Sequence, residues 1–145
     1  MIRILHTADW HLGQTFFGYD RTGEHEVFLN WLAEEIRQKE IDALIIAGDV
    51  FDVSNPSAAS QSMYYQFIYR VTVENPNLQI VIVAGNHDSA ARLEAPLPLL
   101  QAMRTEVRAE WAMALSRLRK SCSILSVVFA ARERGIKTKS RKKNA

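Results

Sequence analysis

Ala43-Leu44-Ile45-Ile46-Ala47-Gly48-Asp49 decides the fold. Five apolar residues without polar alternation run into a glycine and an acid. A strand of that pattern is covered on both faces, as strands of parallel sheets are. The same design recurs downstream, where Gln79-Ile80-Val81-Ile82-Val83-Ala84 stops at Gly85-Asn86-His87-Asp88. Upstream, Ile2 to His6 reads as a short strand leading into Asp9-Trp10-His11.

Helical patterns fill the gaps. Glu24 to Lys39 predicts a helix with Val27, Phe28, Trp31, Leu32 and Ile36 on one stripe and Glu34, Glu35, Arg37 and Lys39 off it. Ser54-Asn55-Pro56-Ser57 is a turn and helix start. The helix runs to about Val73, with Met63, Tyr64, Phe67, Ile68 and Val71 as its buried stripe, and Asn75-Pro76-Asn77 ends it. Ala90 to Met103 predicts a further helix, interrupted by Pro96 and Pro98. The β-α-β-α-β order predicts an α/β fold with a parallel sheet and right-handed crossovers. All three motifs then lie at the carboxyl ends of strands, the edge where open α/β sheets bind ligands.

The motifs supply metal-binding chemistry. In extended backbone, residues two apart project to the same side, so Asp9 and His11 reach one metal while Trp10 faces away. Asp49 offers two oxygens, one for each ion of a pair held roughly 3.5–4 Å apart. Asp52 reads as a turn or cap aspartate. Asn86 offers a neutral oxygen to the second ion, and His87 can give a proton to a leaving oxygen. Any one of these motifs is more often plain loop chemistry: a turn aspartate, a surface histidine, a Gly-Asn turn. Their order and shared placement point instead to two divalent ions handling phosphate.

Bulk properties narrow the class. The chain has 145 residues, 48% hydrophobic and 23% charged, which suits one globular domain. Its lone cysteine, Cys122, excludes an intrachain disulfide. Met1-Ile2-Arg3-Ile4-Leu5 meets His6 and Thr7 too early for a secretory signal, and Val127 to Ala131 is too short to span a bilayer, so a cytoplasmic location without membrane contact is expected. Residues 1–103 hold 6 Lys/Arg against 13 Asp/Glu, and residues 104–145 hold 12 against 3. That split predicts a basic arm for nucleic acid, or segments of different origin. Ala109 to Lys120 predicts a basic amphipathic helix, Cys122 to Ala131 a strand or helix, and Arg132 to Ala145 a disordered tail.

The run Ile4-Leu5-His6-Thr7-Ala8-Asp9-Trp10-His11-Leu12-Gly13-Gln14 resembles the opening of SbcD-type nuclease subunits, relatives of the double-strand-break repair nuclease within the calcineurin-like phosphoesterases. Gly48-Asp49-Val50-Phe51-Asp52 and Ala84-Gly85-Asn86-His87-Asp88-Ser89 are similar to that subfamily's next two motifs. The resemblance covers residues 1 to about 108. It implies that Asp9 and His11 bind a first metal, that Asp49 bridges, that Asn86 binds the second, and that His87 assists catalysis. It also implies manganese, cleavage of DNA phosphodiesters at ends and hairpins, and an SbcC-type ATPase partner.

The resemblance further implies a second half-sheet with three more histidine ligands. This chain has only His6, His11, His25 and His87, of which His6 reads as core and His25 as surface. The expectation is therefore a partial metallophosphoesterase domain over residues 1–108 and a divergent basic segment over 109–145, whether frameshifted or real, with weak or absent activity. The alternatives are an incomplete fragment that binds nucleic acid through its tail, and a small phosphodiesterase or phosphatase. The family's sheet packs one face on that second half, so an uncovered face should drive aggregation or a homodimer.

Overall fold

The computed structural model describes residues 2–108 and 125–130. The elements run β1 (Ile2–Thr7), β2 (Thr15–Phe16), β3 (Tyr19–Asp20), α1 (Thr22–Gln38), β4 (Ala43–Ala47), α2 (Ala58–Glu74), β5 (Gln79–Val83), α3 (Ala90–Glu94), α4 (Leu97–Ala102), β6 (Thr105–Arg108) and β7 (Leu125–Ala130). Among the described residues, five strands form one sheet in the order β6-β5-β4-β1-β7, and every pair in it is parallel. The predicted parallel α/β arrangement is therefore the observed one. β2 and β3 form a separate antiparallel hairpin.

Register divides the sheet into two faces. Leu5 lies beside Leu44, and Leu44 beside Ile80. This row, with Ile46, Ile82 and Val107, packs against Leu29, Leu32 and Ile36 of α1 and Tyr64, Phe67, Ile68 and Val71 of α2. Leu93 of α3 and Leu100 of α4 join the same cluster. Alternate residues Ile4, Ala43, Ile45, Val81 and Val83 form two smaller clusters to which none of the described helices contributes. The described helices thus cover one face, as the half-sandwich expectation requires. The five residues on the opposite face are at most 6% exposed.

Several local expectations change. α1 is turned so that His25, Leu29 and Ala33 join Leu32 and Ile36 in its buried stripe, while Val27 faces solvent. Phe28 and Trp31 sit on the shoulder of this stripe, where Phe28 meets the ring of Trp10 edge-on. His25, expected at the surface, is buried as a result, and His6, expected in the core, is only half-buried. Two elements lie outside the sequence expectations. β6 is four residues long and carries two charges, and the β2–β3 hairpin has strands of two residues each. Both are too short to show periodicity. Within the expected apolar segment Cys122 to Ala131, Leu125–Ala130 is a strand lying along β1, with Leu125 beside Ile2. The expected helix over 109–120 and tail over 132–145 lie outside the described residues. Among those described, no helix is long and apolar enough to cross a membrane.

Candidate metal centre

β1 ends at Thr7, and the chain beyond it is not extended. Asp9 and His11 have left-handed backbones, with φ of 55° and 47°. The expected convergence by strand alternation is therefore not what aligns them. The loop is held by its neighbour instead. The Asp9 amide donates to the Gly48 carbonyl (3.1 Å), the His11 amide to that of Asp49 (2.9 Å) and the Leu12 amide to that of Val50 (2.9 Å). Trp10, 1% exposed, points inward. Its Nε1 donates to Thr7 Oγ1 at 2.9 Å, and its ring stands edge-on to Phe28 and Phe67 at 5.9 and 5.3 Å. With Trp10 and Leu12 as inward anchors, Asp9 and His11 are turned the other way. Non-glycine residues in this conformation cost on the order of 1–3 kcal/mol each and cluster at functional sites.

The loop after β4 repeats the device. Gly48 (φ 82°) and Asp49 (φ 49°) are both left-handed. The Gly48 amide donates to the Val83 carbonyl at 2.9 Å, which ties this loop to β5. A Cβ on Gly48 would lie 3.1 Å from Gly85 Cα, and one on Gly85 would overlap the Asp49 carboxylate and amide. Only glycines let the two loops touch here. Asp88 locks them together. Its Oδ2 accepts from the amides of Val50 (3.1 Å) and Gly85 (3.0 Å), and its Oδ1 from that of Phe51 (3.0 Å). Sequence reasoning gives Asp88 no role; its one signal is an acid closing the Gly-Asn-His-Asp run. The His87 amide in turn donates to Asp49 Oδ1 at 2.9 Å.

These constraints bring Asp9, His11 and Asp49 together, with one ligand atom from each lying within 4.8 Å of the others. Asp52 is more than a turn residue. Its Oδ1 lies 3.1 Å from His11 Nδ1 and 3.4 Å from Gln14 Nε2. A carboxylate only accepts, so His11 carries its proton on Nδ1 and keeps the Nε2 lone pair for a ligand. The main-chain oxygen of Asp52 lies 3.0 Å from His87 Nδ1, and the His11 and His87 rings meet edge-on at 5.1 Å. Asn86 is exposed on the same loop, between Gly85 and His87, whose amides are fixed by Asp88 and Asp49. Burial lowers the basicity of nearby His6, against the opposing pull of the Asp9 charge. Two carboxylates and an imidazole are the donor set of hard and borderline divalent ions, so the site fits such an ion.

A profile of the calcineurin-like phosphoesterase family matches residues 2–126. Among curated proteins, the chain is 49% identical over 106 residues to the SbcD subunit of the SbcCD nuclease of Rhodobacter capsulatus, covering 73% of this chain and 26% of that one. It is 42% identical over 106 residues to the SbcD subunit of Escherichia coli K12, with the same coverage. To the SbcD subunit of Bacillus subtilis it is 42% identical over 98 residues, 68% of this chain and 25% of the relative. The chain thus spans about a quarter of the length of these relatives. With a parallel sheet and a metal-competent acid and histidine cluster at its carboxyl edge, the chain belongs to the calcineurin-like phosphoesterase family.

Proposed function

We propose that the chain is the N-terminal metal-binding part of an SbcD-like DNA nuclease subunit, acting in the cytoplasm with an SbcC-type ATPase partner. The convergence of Asp9, His11 and Asp49 at the carboxyl edge of the sheet carries this reading. The word nuclease in the names of its relatives supports a nucleic-acid substrate. In this reading Asp9, His11 and Asp49 would hold one divalent ion, proposed to be manganese, and Asp49 and Asn86 would hold a second. Bound ions of this kind polarise phosphoryl oxygens and supply a water-derived nucleophile at neutral pH. The residues position and move protons. A carbonyl accepts only, so the contact with the Asp52 main chain places a proton on His87 Nδ1. Nε2 is then the nitrogen that can give a proton to the leaving oxygen, when the ring carries both.

Two outcomes test the metal assignment. Within this chain the first ion has three donors and the second two, so calorimetry with Mn2+ should show one site filling before the other. Two equally tight sites would contradict the assignment. Asp52→Ala should weaken Mn2+ binding by about 10–100-fold, the usual consequence of removing the partner of a ligating histidine. The variant's melting temperature should hardly move, because Asp52 bonds His87 through its main chain. An unchanged Mn2+ affinity would leave Asp52 as a turn residue. The functional test is cleavage of an end-labelled hairpin DNA with Mn2+. Slow cleavage is expected, abolished by chelation and by His87→Ala; cleavage that survives both would refute the reading.

A further inference from the structure

The β2–β3 hairpin carries three aromatic side chains in solvent. Phe16 is 61% exposed, Phe17 87% and Tyr19 77%. Phe16 lies directly across from Tyr19, so these two rings share one face of the ribbon. The Phe16 and Phe17 rings meet edge-on at 4.6 Å. The turn is tight, with left-handed backbones at Phe17 (φ 48°) and Gly18 (φ 79°), the conformation that closes two-residue hairpins. A phenylalanine in that conformation is unfavourable and gains no burial in return. The rings are therefore displayed and pre-ordered rather than collapsed.

The hairpin is fastened to the metal centre. The Gln14 amide donates to the His11 carbonyl at 3.0 Å, and Gln14 Nε2 reaches Asp52 Oδ1. Arg21, at the other end of the ribbon, donates to Gln14 Oε1 at 2.7 Å. Phe17 is six residues from His11, so its ring stands at most on the order of 20 Å along the chain from that ligand. Among its described residues the ribbon offers no uncommitted charge to a phosphate: the Arg21 guanidinium is bound to Glu24 and Gln14, and the Asp20 carboxylate to Thr22. Flat apolar faces without a free cation match the π faces of unpaired bases rather than a duplex backbone.

We propose that this hairpin is a stacking platform for unpaired nucleotide bases of the strand whose phosphate reaches the metal centre, an inference that rests on the DNA reading above. The test uses the full chain in Ca2+ and a single-stranded oligonucleotide carrying 2-aminopurine. Stacking should quench the probe on binding. The triple variant Phe16→Ala, Phe17→Ala, Tyr19→Ala should bind at least about tenfold more weakly and lose the quench, while Phe16→Tyr with Tyr19→Phe keeps both. The ratio of wild-type to triple-variant affinity should stay the same as salt is raised, because stacking releases no counterions. Unaltered affinity in the triple variant would overturn the proposal. So would a ratio that collapses at high salt, which means that the substitutions act on phosphate contacts. A wild-type oligomer that dissociates in the triple variant would also overturn it, since a second copy then covers the rings. No binding by the wild type would do the same. Mn2+ titration on the same samples separates the readings: if the triple variant fails to alter DNA binding yet keeps Mn2+ affinity, the stacking idea alone falls, whereas a wild type that binds neither Mn2+ nor DNA sinks both.

Discussion

Replacing Trp10 by alanine is expected to destabilise the chain by about 3–5 kcal/mol, the range for removing a fully buried large aromatic side chain. Trp10 is 1% exposed, hydrogen-bonded to Thr7 and wedged edge-on between Phe28 and Phe67. Its loss opens a cavity where β1, α1 and α2 meet. The same change should reach the metal centre, because Trp10 separates Asp9 from His11 and anchors both in left-handed backbone. Denaturant unfolding should show the loss of stability, and Mn2+ titration a parallel loss of affinity. Phe17→Ala is the control: a side chain 87% exposed contributes little to folding, so stability should be unchanged. If Trp10→Ala keeps Mn2+ affinity while losing stability, the amide bonds from Asp9 and His11 to the neighbouring loop suffice to shape the site.

What can be read from the sequence is what one strand or one motif encodes. Ala43–Ala47 and residues 80–83 are continuous apolar runs, and such runs mean buried parallel strands whatever surrounds them. The glycine and acid that stop them mark the binding edge. How the ligands converge is not legible. The pleat of a strand would align Asp9 and His11, but their φ is set by bonds to the carbonyls of Gly48 and Asp49, some forty residues away. Asp52 and Asp88 are opaque for the same reason: their partners His11, Val50 and Phe51 lie 37 to 41 positions distant. His25 shows the limit of a helical stripe. A rotation of α1 about its axis exchanges Val27 for His25, and that choice is made by Trp10 and α2, not by α1. The hairpin is hidden because its strands are two residues long and its turn advertises itself through the single glycine of Phe17-Gly18.

Asp49→Asn should have opposite effects with and without metal. The amide keeps an oxygen to accept the His87 amide, so the contact between the two loops survives. Without metal, the substitution removes one of two carboxylates whose ligand atoms lie within 4.8 Å of each other. Like charges at that separation repel by about 1 kcal/mol in a water-like dielectric, so the metal-free variant should be as stable as the parent or slightly more so. With metal, the variant loses the carboxylate proposed to serve both ions. Removing partners one layer outside a metal already weakens binding by about 10–100-fold, so Mn2+ affinity should fall by more than about 100-fold, and manganese-dependent cleavage of DNA should disappear with it. Thermal melting with and without Mn2+ reads both effects: the parent should gain stability on adding the ion, and the variant should not. A variant that is destabilised without metal and still gains with it would mean that Asp49 holds the loops together and that the ion is bound by other residues.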